Sequence, residues 1–177
     1  GFDRQFIQEG YTYAYAPKAM MCWVASPARI RPRTTSIRYR FHCAMTGSLG
    51  ISLDLTKLDD AELAECREYV ELYKRIRPTI QDGDLYRLSS PRSAEGTAVQ
   101  YVNAERSEAV LFAFRHSQQF AHPPYPIRLR GLDPEAVYVC EQSGVERSGA
   151  SLMHAGVQLN LKGDFDSELL VFRKKML

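Results

Sequence analysis

The stretch Arg38–Lys57, RYRFHCAMTGSLGISLDLTK, decides the fold class because its apolar spacing changes from helical to extended within a few residues. Phe41, Ala44 and Met45 recur three and four positions apart, as residues on one face of a helix do. After Gly47 the apolar residues alternate with small or polar ones, as in a strand. A helix closed by a glycine and followed at once by a strand predicts an α/β architecture.

The residues before this stretch predict a further helix and a further strand. Residues 2–9 carry apolar side chains on one helical face, and Gly10 is expected to end that helix in a left-handed conformation. The tyrosines of residues 11–15 alternate with small residues, a pattern that favours interior packing over a platform for a sugar. Met20–Val24 is a short continuous apolar run, which predicts a strand buried on both faces.

The residues after this stretch predict the longest helix of the chain. Asp59 and Glu62 stand three apart, as in a variant of the capping box, and Pro78 is expected to end the helix. An apolar stripe follows at helical spacing: Leu63, Cys66, Val70 and Tyr73. The glutamates fall away from this stripe, so we expect them to form a solvated face without a catalytic role.

From Gly83 onward the pattern changes to short apolar runs between turn residues. Five runs are predicted as strands: AVQYV, AVLFAF, PIRLRGL, AVYVC and ELLVF. Asn103–Ser107 and Gly131–Pro134 are expected to turn hairpins, and residues 89–96 to form a polar loop. Strands joined by short loops without helices between them predict an antiparallel β-sandwich domain over residues 83–177.

Composition narrows the function classes. The chain has 177 residues and a net charge of +2, so nothing in the overall balance calls for nucleic acid or a membrane surface as a partner. The four cysteines form no CxxC pair, which argues against a zinc site or a disulfide scaffold and predicts a cytoplasmic, reducing location. No transmembrane run or signal segment is visible, and no metal or cofactor is expected.

A cluster of arginines follows the predicted strand Met20–Val24. Its members are Arg29, Arg31, Arg33, Arg38 and Arg40. Such a cluster can bind phosphate, but without interleaved aromatic residues a solvated loop or a subunit contact is the favoured interpretation. The role of this loop stays open.

Several motifs together resemble glycoside hydrolase family 36, the melibiase family of α-galactosidases. They are IQEGYTYAYAPKAMMCWV, AMTGSLG followed by LDLTKL, LYKRIRPTIQDGDLYRL, and LRGLDPEAVY. The similarity covers most of the chain and is densest over residues 5–90. It lapses at SPARIRPRTT, where many members of the family carry an Asn-His-Gln loop.

The resemblance implies a fold and an activity. Residues 1–82 would be the last two β/α units of a TIM-type (β/α)8 barrel, and residues 83–177 the sandwich that follows it. The family hydrolyses terminal α-linked galactose from melibiose- and raffinose-type oligosaccharides with retention, using two aspartates. Both aspartate motifs would precede residue 1, so no catalytic residue is expected in this chain, and the isolated chain is expected to be inactive.

The resemblance also implies partners. They are an α-galactoside substrate, the remainder of the barrel, and further copies of the protein, because family members often assemble. N-acetylgalactosamine specificity and transfer to a second sugar stay open. The alternative function is a non-enzymatic carbohydrate-binding or assembly module.

Three residues are candidates for the wall of a sugar pocket. Trp23 lies near the carboxyl end of a predicted strand, where its indole could stack on the apolar face of galactose or pack in a core. Cys22 and Ser48 are weaker candidates for the same cavity. His42 is interpreted as a structural residue, because no nucleophile motif surrounds it.

Overall fold

A computed structural model describes most of the chain, and within it the chain divides into two compact units, Gly1–Arg77 and Pro78–Leu177. The described residues are 2–26, 35–93, 96–117 and 126–175.

The first unit contains helices and a pair of parallel strands. Its elements are α1 Phe2–Tyr11, β1 Met21–Ala25, α2 Ile37–Met45, β2 Ser48–Ser52 and α3 Asp60–Asp82, the last of which continues into the second unit. Strands β1 and β2 pair in parallel, and α2 packs against both of them. The predicted order of helix, strand and helix around Gly47 is therefore confirmed.

Side chains fix where the second and third helices begin. Ser36 precedes α2, and its Oγ accepts a hydrogen bond from the Tyr39 backbone N–H at 3.1 Å. Before α3, the Glu62 N–H donates to Asp59 Oδ1 at 2.8 Å, and the Asp59 N–H donates to Glu62 Oε2 at 3.1 Å. The N–H groups of Tyr39 and Glu62 lie in the first turn of a helix, where they would otherwise lack partners. The reciprocal pair of bonds between Asp59 and Glu62 confirms the predicted capping box.

Both glycine-based predictions of helix ends are wrong in their mechanism. Helix α1 continues through Gly10, and neither Gly10 nor Gly47 has a left-handed backbone. Gly47 is instead required by close packing, because a Cβ there would lie 2.8 Å from both Cys22 Sγ and the Met20 carbonyl oxygen. The chain needs a residue without a side chain at this turn for steric reasons.

The prediction that Pro78 ends the third helix is also wrong. Helix α3 runs through Pro78 to Asp82, although proline cannot donate the hydrogen bond that the Lys74 carbonyl would otherwise accept. The turn beyond the proline carries Thr79 and Ile80, both of which are buried. Burial of this turn stabilises the helix where local propensity alone would end it.

The alternating tyrosines do not pack in the interior of this chain. Tyr13 is 73% exposed and Tyr15 is 62% exposed. The ring of Tyr15 contacts that of Tyr11, with ring centres 5.0 Å apart. The prediction of interior packing is therefore wrong for both residues.

The second unit is built on one six-stranded antiparallel sheet in the order β3-β4-β5-β8-β6-β7. Its strands are β3 Asp84–Ser89, β4 Thr97–Val102, β5 Glu108–Arg115, β6 Val137–Cys140, β7 Glu146–Ser148 and β8 Asp166–Lys174. The predicted β4–β5 hairpin is confirmed. In its turn Asn103 Oδ1 accepts hydrogen bonds from the backbone N–H groups of Ser107 and Glu108, each at 2.9 Å.

A layer without extended strands covers one face of this sheet. Helix α4, Gly149–His154, lies in this layer, and the predicted strand PIRLRGL forms only an isolated bridge between Ile127 and Val157. The hairpin predicted at Gly131–Pro134 is therefore wrong. The shared apolar core includes Leu111, Leu129, Leu132, Tyr138, Leu152 and Phe172.

A side chain takes the place of strand pairing for this segment. Gln100, fully buried on β4, donates from Nε2 to the Arg130 carbonyl at 2.8 Å. Its Oε1 accepts from the Arg130 N–H, also at 2.8 Å. One carboxamide thus satisfies both backbone groups of a residue that no strand pairs, which explains how an extended segment is held without a ladder.

Replacing Gln100 with leucine should lower the free energy of unfolding by about 2 kcal/mol, because the Arg130 backbone N–H and carbonyl would both lose their partners in a partly buried setting. Urea denaturation followed by circular dichroism measures the effect. Gln158→Leu is the matched control, because Gln158 is exposed, and it should change stability by less than about 0.5 kcal/mol. Equal urea midpoints for Gln100→Leu and the unmodified chain would contradict the role given to the carboxamide.

Candidate functional site

The two faces of the β1–β2 pair differ in their exposure to solvent. The register pairs Met21 with Ser48, Trp23 with Gly50 and Ala25 with Ser52, so these six residues share one face. Cys22 and Val24 point to the other face and are fully buried. Because Met21 is 56% exposed and Trp23 is 47% exposed, the prediction that this strand is buried on both faces is wrong for this chain.

Trp23 and Ser48 lie on the exposed face, and Cys22 does not. The Trp23 indole lies over Gly50, and Ser48 Oγ donates a hydrogen bond to the Lys18 carbonyl at 2.6 Å. Alternation along β1 places Cys22 on the buried face, so the structure brings two of the three predicted wall residues together.

The buried position of Cys22 also determines its chemistry. Burial raises the pKa of its thiol, and the nearby Arg4 guanidinium opposes that shift. A thiol with a raised pKa stays neutral at pH 7 and is a poor nucleophile. All four cysteines are free and buried. The cytoplasmic location stays a prediction.

The carboxyl ends of β1 and β2 carry polar contacts within the protein. Arg40, on α2, donates from Nη1 to the Ala25 carbonyl at 3.2 Å. Asp54 follows β2 and accepts from the Thr56 hydroxyl at 2.6 Å. Hydrogen bonds from Thr56, and then from Lys57, lower the pKa of Asp54. Asp54 therefore shapes the turn after β2.

The predicted arginine loop is described only in part. Arg29, Arg31 and Arg33 lie outside the described residues, whereas Arg38 and Arg40 belong to the first turns of α2. The role of the loop as a phosphate site or subunit contact therefore stays a prediction.

His42 and His116 have structural surroundings. His42 is buried, and its ring meets the Tyr69 ring edge-on at 5.4 Å between centres. His116 Nε2 lies 3.0 Å from Thr97 Oγ1, and burial lowers the pKa of His116 to about 4, so its ring is neutral at pH 7. His122 lies outside the described residues. Within the described ranges, no three His, Cys, Asp or Glu side chains are grouped as a metal site would need.

A cleft lies in the antiparallel unit. A cleft of about 300 Å³ opens beside β6, β7 and β8, with Tyr138, Leu152, Leu170 and Phe172 in its lining. Both aromatic residues are buried, and Arg147 at its wall is already hydrogen-bonded to the Gly156 carbonyl at 2.6 Å. The lining of this cleft therefore offers a sugar no exposed aromatic face, in contrast to the Trp23 face of the first unit.

The sequence interpretation missed Gly50 and Ser52. Both share the exposed face with Trp23 and Ser48, and Ser52 is itself exposed. An isolated glycine inside an alternating strand was the available signal, because such a glycine marks close approach by another group. The group that approaches is visible only once the register of the two strands is known.

The described part of the chain contains no helix of sufficient length and apolarity to cross a membrane.

Comparison with known proteins covers nearly the whole chain. Residues 1–83 match the family model described as Melibiase, and residues 96–172 match the model described as Glycosyl hydrolase family 36 C-terminal domain. Probable alpha-galactosidase C of Aspergillus flavus is 35% identical over 171 residues, which are 96% of this chain and 23% of that protein. Bifunctional alpha-galactosidase/sucrose kinase AgaSK of Mediterraneibacter gnavus is 37% identical over 158 residues, 89% of this chain and 17% of that protein.

Solved structures of α-galactosidases are also similar to this chain. A crystal structure of a variant of the α-galactosidase AgaA from Geobacillus stearothermophilus, in complex with raffinose, matches with a TM-score of 0.93 and 35% identity. The match covers 98% of this chain and 24% of that one. The chain thus spans about a quarter of the length of relatives such as these. On the two family models and these relatives, this chain belongs to glycoside hydrolase family 36.

Proposed function

We propose that this chain is the carboxyl-terminal part of a retaining α-galactosidase. The whole enzyme would hydrolyse terminal α-linked galactose from oligosaccharides of the melibiose and raffinose type. The observation that carries the proposal is the match, over 98% of the chain, to an α-galactosidase crystallised with raffinose. Nucleophile and acid/base aspartates would lie in a part of the enzyme that precedes residue 1.

The architecture proposed for the first unit is the end of a (β/α)8 barrel. Its support is the succession β1, α2, β2, α3, in which the two strands are parallel and helices follow each of them. In the described residues each of these strands pairs only with the other, so each has one open edge that a neighbouring barrel strand would cover. For residues 83–177 we propose a β-sandwich domain built on the six-stranded sheet.

Within that barrel, the exposed face of β1 and β2 would point toward the interior. Trp23 and Ser48 would then contribute to the floor or wall of the galactose pocket, with the indole stacking on the sugar ring. The buried face, with Cys22, packs toward α2 and would stay away from substrate. Assembly into a homo-oligomer stays a prediction.

The test compares the whole enzyme with this chain alone on p-nitrophenyl α-galactoside. The whole enzyme should turn over and release α-galactose first, as retention requires, whereas the folded chain alone should give no rate above the blank. Circular dichroism establishes that the chain is folded in the assay, and p-nitrophenyl β-galactoside serves as the control substrate. Turnover by the chain alone would refute the placement of the aspartates, and a whole enzyme inactive on α-galactosides would refute the substrate class.

A further inference from the structure

The contact between Trp23 and Gly50 constrains both residues. The two are partners in the parallel ladder and lie on the same face of the strand pair. A Cβ added to Gly50 would lie 2.6 Å from both Cε3 and Cζ3 of the Trp23 ring. Non-bonded carbon atoms do not approach so closely, so the ring or the strand would have to move. The benzene half of the indole therefore rests directly on the backbone of β2.

The three atoms nearest to a Cβ at position 50 all belong to the Trp23 indole. The Gly50 backbone is not left-handed, so an alanine would fit it without strain. Glycine inside a strand is otherwise unfavourable, because the unfolded chain gains freedom and no side chain packs. In the absence of Trp23, alanine at this position should be accepted.

The surroundings of the indole suit a sugar. About half of the Trp23 surface is exposed while one part of the ring rests on Gly50. Ser48 and Ser52 stand two residues to either side of Gly50 on the same face of β2. Ser48 Oγ already donates to the Lys18 carbonyl at 2.6 Å, and Ser52 is exposed beside the aromatic ring. A pyranose presents the complementary set, an apolar ring face bordered by hydroxyl groups.

We propose that Gly50 is a positioning residue that sets the depth and tilt of the Trp23 indole as a platform for the galactose ring. The inference rests on the proposed α-galactosidase function. By lacking a side chain, Gly50 lets the indole lie close against β2 and keeps the pocket deep enough for the sugar above it. A methyl group at position 50 would lift the ring into the space that the sugar occupies.

The test uses the whole enzyme and a double-mutant cycle. Gly50→Ala should raise KM for p-nitrophenyl α-galactoside about five- to tenfold with kcat within about twofold, because a ground-state platform is displaced. Trp23→Ala should raise KM by a similar factor, and adding Gly50→Ala to it should change KM less than about 1.5-fold. Gly10→Ala is the matched control, because nothing lies within 4 Å of its added Cβ, and it should leave both constants unchanged.

A spectroscopic arm separates this inference from the proposed function. In enzyme labelled with 5-fluorotryptophan, Trp23→Phe assigns the fluorine resonance, and Gly50→Ala should shift that resonance without substrate. An unshifted resonance would overturn the positioning role. A shifted resonance with unchanged KM would overturn the platform role, because the Trp23 indole would then pack against β2 without contacting the sugar. A wild-type enzyme inactive on α-galactosides would overturn the proposed function and the platform with it, while the resonance alone would still report whether Gly50 holds the ring.

If Gly50→Ala folds poorly, the double variant Trp23→Ala/Gly50→Ala tests whether the indole is the cause. Recovery of folding in Trp23→Ala/Gly50→Ala would show that the indole opposes the methyl group, as proposed. A double variant as poorly folded as Gly50→Ala alone would overturn the contact.

Discussion

Replacing Gly149 with alanine should lower the free energy of unfolding by about 3 kcal/mol, near the upper end of the usual cost of overpacking. The added Cβ would lie 2.0 Å from the Asp133 carbonyl oxygen and 3.2 Å from Tyr138 Cε2. The Gly149 N–H also donates to the Ala136 carbonyl at 2.8 Å, so the backbone cannot move away without breaking that bond. The cost is steric, because the Gly149 backbone is not left-handed.

Urea denaturation monitored by circular dichroism measures this loss. Gly10→Ala is again the control, because its Cβ meets nothing within 4 Å and it lies in helix α1. Alanine there should be neutral or stabilising by up to about 1 kcal/mol, as helix propensity predicts. If Gly149→Ala unfolded at the same urea concentration as the unmodified chain, the start of α4 would have to be less tightly held than its contacts indicate.

Replacing Tyr138 with alanine should cost about 4 kcal/mol, in the range of large aromatic truncations in a core. The side chain is fully buried within the apolar core of the antiparallel unit. Its hydroxyl donates to the Arg106 carbonyl at 2.6 Å and accepts from the Asp133 N–H at 3.1 Å. Truncation would remove the packed ring and leave two backbone groups without their partner.

Tyr138→Phe separates the two contributions. It keeps the ring and removes only the hydroxyl, so we expect a loss of about 1 to 2 kcal/mol. Tyr15→Phe is the matched control, because Tyr15 is exposed, and it should change stability by less than about 0.5 kcal/mol. Equal losses for the phenylalanine and alanine variants would contradict the assignment of most of the stabilisation to packing of the ring.

Local signals predicted the parts of the fold that depend on neighbours in sequence. The change of spacing around Gly47 gave the α/β order, and the Asp59–Glu62 pair gave the start of α3, because capping uses residues a few positions apart. The end of α3 could not be predicted from Pro78, since burial of the following turn overrides the proline. The extended segment before Asp133 alternates like a strand, but the Gln100 side chain satisfies its backbone instead of a ladder.

Two strands were missed for a related reason. The sequences of β3, DLYRLS, and β7, ERS, lack runs of β-branched residues, and both strands lie at the edges of the sheet. Edge strands bury less surface, so their sequences carry a weaker apolar pattern. These two strands form because β3 pairs with β4 and β7 pairs with β6.

The candidate site was predictable only as far as one strand allows. The position of Trp23 near a strand end left two interpretations open, a sugar platform and a core residue, and Cys22 was a weaker candidate for the same cavity. The partnership with Gly50 depends on the register between β1 and β2, which is a property of two strands and is not written in either one. Only the register shows that Gly50 lies beneath the Trp23 indole and is a candidate determinant of the pocket.

The distribution of thiols gives this chain a built-in chemical reporter. Cys22, Cys43 and Cys66 are buried in the first compact unit, and Cys140 is buried in the second. A buried thiol reacts with an alkylating reagent only when its surroundings open. Cys140 lines the cleft beside β6. Alkylation of the other three cysteines, followed by peptide mass spectrometry, can therefore time the opening of the first unit in the unmodified polypeptide.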